Sequence, residues 1–163
     1  MFIAVFLQLS QQFSGINAVI YYSKAIFQRT GLDDKTSEYA NLGLGATIII
    51  VTFISVFLID RLGRRILHLT GLGGMFVACL ILVISLLVPA STFWNRVSLI
   101  MTIAFVGLFS IGPGAIPWLI TAELFDQTYR VPASSIAVLV NWSGNFAVGL
   151  GFKPLFTVKL NLP

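Results

Sequence analysis

At 163 residues, 57% hydrophobic and only 10% charged, with a mean hydropathy of +0.94, the chain falls outside the soluble globular class, in which about 25% of residues are charged. The formal charge of +4 comes from ten Lys and Arg scattered over short loops. That scatter excludes a nucleic-acid-binding stripe and puts the basic residues at membrane interfaces. A single Cys79 inside an apolar run offers no disulfide framework and reads as a small packing residue.

The first apolar segment, over 2–26, carries polar groups in its interior: Gln8-Leu9-Ser10-Gln11-Gln12-Phe13-Ser14-Gly15-Ile16-Asn17. An amide facing lipid is costly, so these side chains need partners or a water-filled cavity. At about 100° per residue, Gln8, Gln11, Gln12, Gly15 and Tyr22 share one helix face. Such a stripe suits a neutral, polyhydroxylated ligand. Asn17 lies about 180° from Gln8 on the same wheel, so a regular helix turns it away. Local unwinding at Gly15 would swing it inward, as in the broken helices of transporters. Without that break it is a packing residue.

A loop over 28–38 leads to a second span, 39–59, which opens with Gly43 and Gly45, residues small enough for close helix packing. It ends at Asp60-Arg61-Leu62-Gly63-Arg64-Arg65. The third span, 67–88, has Gly71, Gly73 and Gly74 near its start and stops at Pro89. His68, the one histidine, sits at a span end and reads as structural. The fourth span, 97–122, is interrupted by Gly112-Pro113-Gly114 and Pro117. Two donors are lost and two flexible points added there, which makes either a static kink or a hinge. Either one requires that other groups satisfy the freed carbonyls.

Trp118 offers a flat apolar face for sugar C–H groups, or alternatively an interfacial anchor. After the charged loop 123–132 comes a fifth span, 133–152. Its Asn141 and Asn145, at i and i+4, share a face. Alone they read as interhelical glue; beside the glutamines of the first span they imply a shared polar cavity. The expected fold is therefore all-α, with five transmembrane helices in one bundle over 1–163. No metal-ligand cluster, nucleophile–base pair or phosphate loop is visible, so neither an enzyme nor a cofactor is expected. Placing Asp60–Arg65 in the cytoplasm leaves four Lys/Arg there against six opposite, Lys153 and Lys159 included. The densest basic cluster nevertheless favours that orientation.

Four motifs in order resemble the sugar-porter branch of the major facilitator superfamily, and more narrowly the C-terminal half of animal facilitative glucose transporters. They are Gln11-Gln12-Phe13-Ser14-Gly15-Ile16-Asn17-Ala18 with Tyr21-Tyr22-Ser23; Asp60-Arg61-Leu62-Gly63-Arg64-Arg65; Gly112-Pro113-Gly114-Ala115-Ile116-Pro117-Trp118 with Ala122-Glu123-Leu124-Phe125; and Asn141-Trp142-Ser143-Gly144-Asn145-Phe146. The resemblance implies family helices seven to eleven of a multi-pass protein, in the plasma membrane. It implies sugar contacts from Gln11, Gln12, Asn17, Trp118, Asn141, Trp142 and Asn145, and an extracellular lid from Tyr21 and Tyr22. Asp60, Arg61, Arg64, Arg65, Glu123 and Arg130 would form a cytoplasmic charge network. Gly112, Pro113, Gly114 and Pro117 would form the hinge. Gln8-Leu9-Ser10 resembles a triplet of glucose-preferring members.

Two positions depart from the family pattern. Ile48 stands where the family has a sugar-contacting asparagine, and Ser110 takes the place of a glutamate. Each lost hydrogen bond is worth about 0.5–1.5 kcal/mol. The implied partners are a small sugar, the lipid bilayer, and the missing N-terminal half or a full-length carrier; nucleic acid is not among them. The expected activity is facilitative hexose transport by alternating access, the chain being part of a carrier. The rival readings are a proton-coupled symporter and a truncated, non-transporting protein that associates with a full-length relative.

Overall fold

The computed structural model describes residues 1–89 and 91–160, with side chains described up to 151. Lys153 and Lys159, counted above in the charge balance, lie outside the described side chains. Seven helices follow one another: α1 (Phe2–Phe13), α2 (Ile16–Arg29), α3 (Asp34–Leu62), α4 (Arg64–Leu87), α5 (Thr92–Ile111), α6 (Ile116–Glu123) and α7 (Gln127–Leu160). No strand occurs among the described residues. Because α1 with α2, and α5 with α6, each form one interrupted span, the seven make five segments long and apolar enough to cross a membrane.

Several helices outrun the apolar windows seen in sequence. The 29 residues of α3 make a rod about 43 Å long, against about 30 Å of hydrocarbon. Its ends, Asp34-Lys35 and Asp60-Arg61, are charged because they reach beyond the apolar layer. Hydropathy locates the lipid-buried part of a helix, and hydrogen bonding continues past it. At the start of α3 the Ser37 amide already donates to the Asp33 carbonyl at 2.8 Å.

The chain forms two compact units, one of residues 21–116 and one of residues 1–20 with 117–163. In the first, α4 packs along α5 through a regular stripe: His68, Gly71, Met75, Ala78, Leu82 and Ser85. The three- and four-residue spacing keeps that face continuous. Lipid tails are as apolar as leucine, so small residues and hydrogen bonds hold such helices together. Gly71 and Gly74 supply the closeness: a Cβ would meet Pro113 Cδ at 2.6 Å from the first and Leu108 Cδ2 at 2.7 Å from the second. Ser85 and Ser98 hydroxyls join the far end at 2.7 Å.

Gly43 and Gly45 of α3 play no such part, since no atom lies within 4 Å of a Cβ built on either. They sit on a helix that buries little, only Ser37, Leu44, Ser55 and Ile59, and exposes Ile49, Ile50, Phe53 and Phe57. Composition marks a glycine as small. Its neighbours decide whether smallness is used.

The break between α5 and α6 is built as the missing donors demand. Ser55 Oγ, from α3, donates to the freed Ile111 carbonyl at 2.7 Å. The Gly114 amide takes the Phe109 carbonyl at 2.8 Å. Gly112 lies against α4 so tightly that a Cβ would stand 2.3 Å from the Leu67 carbonyl oxygen. Pro113 and Pro117 are both fully buried.

In the second unit α1 packs on α7. The α7 side contributes Ala133, Ala137, Asn141, Gly144 and Val148, four or three residues apart, and α1 contributes Ala4, Gln8, Gln11 and Gln12. Gly144 permits the approach, as a Cβ there would lie 3.2 Å from Gln12 Cβ.

Candidate functional site

The seam between α1 and α7 is amide where a membrane seam is ordinarily small or apolar. Asn141 stands at its centre. Its Nδ2 donates to Gln8 Oε1 and to Gln11 Oε1, both at 2.7 Å, and its Oδ1 accepts from Gln12 Nε2 at 2.8 Å. All four side chains are buried, none more than 6% exposed. Three glutamines reach one asparagine because positions 8, 11 and 12 fall on one face of α1.

The helix then breaks where the phase of Asn17 required. Gly15 takes φ +87°, and α2 restarts at Ile16. Asn17 Nδ2 now donates to Gln12 Oε1, so the fifth amide joins the cluster. A left-handed backbone costs an L-residue about 1–2 kcal/mol, so Gly15→Ala should strain the break although no atom crowds the site. We expect it to lower stability by about that amount and to release Asn17. Amide hydrogen exchange that stays unchanged at Asn17–Ala18 would contradict this.

The hydrogen bonds also show what the cluster can still offer. Asn141 has spent both N–H groups. Gln8 Nε2, on a side chain with no exposure, has no partner among the described residues. A buried, unpaired amide N–H is costly, and a hydroxyl oxygen would satisfy it. The cluster is built of amides alone, so what it can offer chemically is hydrogen bonding.

The other residues expected from the sequence belong to both units. Asn145 is half-buried one turn beyond Asn141 on the same face. Trp142, the next residue round α7, is 62% exposed and lines a groove of about 480 Å³ with Leu139 and Phe146. Trp118, on α6, is exposed. Tyr21 is exposed and Tyr22 half-buried on α2. Asp60, Arg61, Arg64 and Arg65 cluster around the Gly63 turn between α3 and α4, where Gly63 has φ +83°. Glu123 closes α6, and Arg130 lies in the first turn of α7. Ser110 is buried, its hydroxyl donating to the Val106 carbonyl of its own helix at 3.0 Å. Ile48 is half-buried.

Two contributors stand outside the sugar contacts that the family resemblance implies. Gln8 is part of the cluster, and its place on the face of Gln11 and Gln12 was the available signal. Gly144, inside the Asn141–Asn145 motif, was signalled only by being the smallest residue there.

Five spans and an interhelical amide cluster define a multi-pass integral membrane protein. The family model described as "Sugar (and other) transporter" matches residues 1–159, and the chain belongs to that family. It is 49% identical over 151 residues to solute carrier family 2, facilitated glucose transporter member 3 of Gallus gallus, covering 92% of this chain and 30% of the relative. Against member 4 of Homo sapiens it is 47% identical over 155 residues, covering 93% and 30%. Against member 3 of Ovis aries it is 50% identical over 151 residues, covering 92% and 30%. The chain thus spans less than a third of the length of these curated relatives.

Proposed function

We propose that this chain forms part of a facilitative hexose carrier, with glucose the favoured substrate, working by alternating access at the plasma membrane. The observation that carries the reading is the buried amide cluster beside a broken helix, with Gln8 Nε2 unpaired among the described residues. Hydroxyls of a sugar would replace amide–amide bonds one for one, so binding exchanges partners without stripping them. Gln11, Gln12, Asn17, Asn141 and Asn145 would bind hydroxyls, and Trp118 and Trp142 would pack against the C–H face of the ring. The named function of the relatives supports the same substrate class.

The remaining parts take complementary roles in this reading. Tyr21 and Tyr22 close over the sugar from outside. The break at Gly112-Pro113-Gly114 and Pro117 acts as the hinge. Asp60, Arg61, Arg64, Arg65, Glu123 and Arg130 hold one state by charge pairing worth a few kcal/mol. The remaining helices of a carrier, supplied by the rest of a longer chain or by a partner, would provide the other wall of the cavity.

The test is a chimera that joins these 163 residues to the preceding two-thirds of a facilitated glucose transporter, assayed for labelled 2-deoxyglucose uptake. Gln11→Ala combined with Asn145→Ala should abolish uptake while surface insertion stays normal. Undiminished uptake would rule out the amide site.

A further inference from the structure

The unit of residues 21–116 has a polar recess at the end opposite the Gly63 turn. It consists of two adjoining cavities. One, of about 190 Å³, is lined by Arg29, Thr30, Ser85, Val88, Asn95 and Ser98. The other, of about 350 Å³, is lined by Thr30, Gly31, Thr92, Asn95, Arg96 and Leu99. Thr30 and Asn95 belong to both, so the two form one continuous recess between the α2–α3 turn and the first turn of α5.

We propose that this recess binds the phosphate of a membrane phospholipid, its two arginines taking the oxyanion and the flanking leucines meeting the acyl chains. Four observations support that occupant. Arg29 lines one cavity and Arg96 the other, and among the described residues neither has a carboxylate partner. Lys24, by contrast, is already paired with Glu38 at 2.9 Å. Among the described residues no acidic one lines either cavity, although Asp33 and Asp34 lie close by in sequence.

Hydroxyl chemistry sharpens the assignment. Ser85 Oγ donates to the Leu82 carbonyl and meets Ser98 Oγ, and Thr30 Oγ1 donates to the Phe27 carbonyl. The protons of the floor are thereby used within the protein. Donors for an anion come from Arg29, Arg96 and the Asn95 amide, all of which line the recess. Gly31 lies beside that amide, a Cβ there being in ordinary contact with Asn95 Nδ2 at 3.7 Å. Guanidinium groups bind phosphate oxygens in pairs, and basic recesses between transmembrane helices take lipid head groups.

Position favours a lipid over a soluble anion. The apolar spans that bound the recess end at Arg29 and Leu87 and begin at Asp34 and Thr92, which puts the recess at the level of the head groups. Leu86 and Leu99 line it, and beside them Leu87 is 75% and Phe93 67% exposed, an apolar flank for acyl chains.

The chain, purified in detergent, can be titrated with dioleoylphosphatidylglycerol and read by native mass spectrometry, with dioleoylglycerol and inorganic phosphate as separate arms. We expect saturable retention of the phospholipid, none of the diacylglycerol, and a loss of about tenfold in affinity for Arg29→Gln with Arg96→Gln. Lys35→Gln, which removes a charge at the same end, should change affinity less than twofold. Equal retention of both lipids, or equal losses from Lys35→Gln and the arginine pair, would overturn the site. Inorganic phosphate binding as tightly as the lipid would overturn the lipid assignment in favour of a soluble anion. Both arginines are exposed, so folding should survive; if the double variant loses helicity, Arg96→Gln alone gives the same reading.

Discussion

Asn141→Ala should destabilise the α1–α7 unit by about 2–5 kcal/mol. The substitution removes three hydrogen bonds at once. Each interhelical bond in a membrane contributes about 0.6–2 kcal/mol. The removal also leaves the oxygens of Gln8 and Gln11 and the nitrogen of Gln12 short of a partner in a buried seam, which adds a desolvation cost. Asn145→Ala, at a half-buried position one turn on, should cost about 1 kcal/mol or less. The measurement is the unfolding midpoint of each variant in mixed micelles. A difference of under about 0.5 kcal/mol between Asn141→Ala and wild type would mean that the cluster does not hold the seam.

Gly112→Ala should be more damaging than any other single glycine substitution in the unit of residues 21–116. A methyl group 2.3 Å from the Leu67 carbonyl oxygen, and 3.0 Å from its carbon, meets backbone that cannot rotate aside. Relief requires α4 and the end of α5 to part, which costs about 3 kcal/mol, the upper end of the usual scale for overpacked cores. Gly73→Ala is the matched control, since nothing lies within 4 Å of its Cβ. It should be neutral or gain up to about 1 kcal/mol from helix propensity. Thermal unfolding of the two variants decides the point. Similar midpoints would show that α4 and the break are not in rigid contact. In the proposed carrier, Gly112→Ala should also slow uptake far more than it weakens sugar binding, because it acts where the helix bends.

The lipid-buried parts of the fold were legible because hydrocarbon tolerates few charges. Runs of 20 or so apolar residues bounded by Asp34, Asp60-Arg61 and Arg64-Arg65 admit hardly any other reading. The break at Gly15 was legible for a subtler reason. Asn17 was out of phase with Gln8, Gln11 and Gln12, and only a residue free to take positive φ could restore it. Gly112-Pro113-Gly114 announced an interruption by removing a donor between two flexible points.

What the sequence determined by itself, then, was the number of spans, the places where two of them break, and the amide character of one face. The tertiary structure alone decided which groups those features meet. Nothing local distinguishes Gly43 from Gly71, yet one faces open space and the other a proline ring. Nothing in α3 marks Ser55 as the donor to the Ile111 carbonyl, 56 positions away. Asn141 was legible as a buried amide, but its role as the hub of Gln8, Gln11 and Gln12 rests on α1 lying against α7 across some 130 residues of chain. Hydropathy and backbone freedom are properties of a residue and its near neighbours. Hydrogen-bond partners and close approach are properties of two segments, and they exist only once the helices have packed.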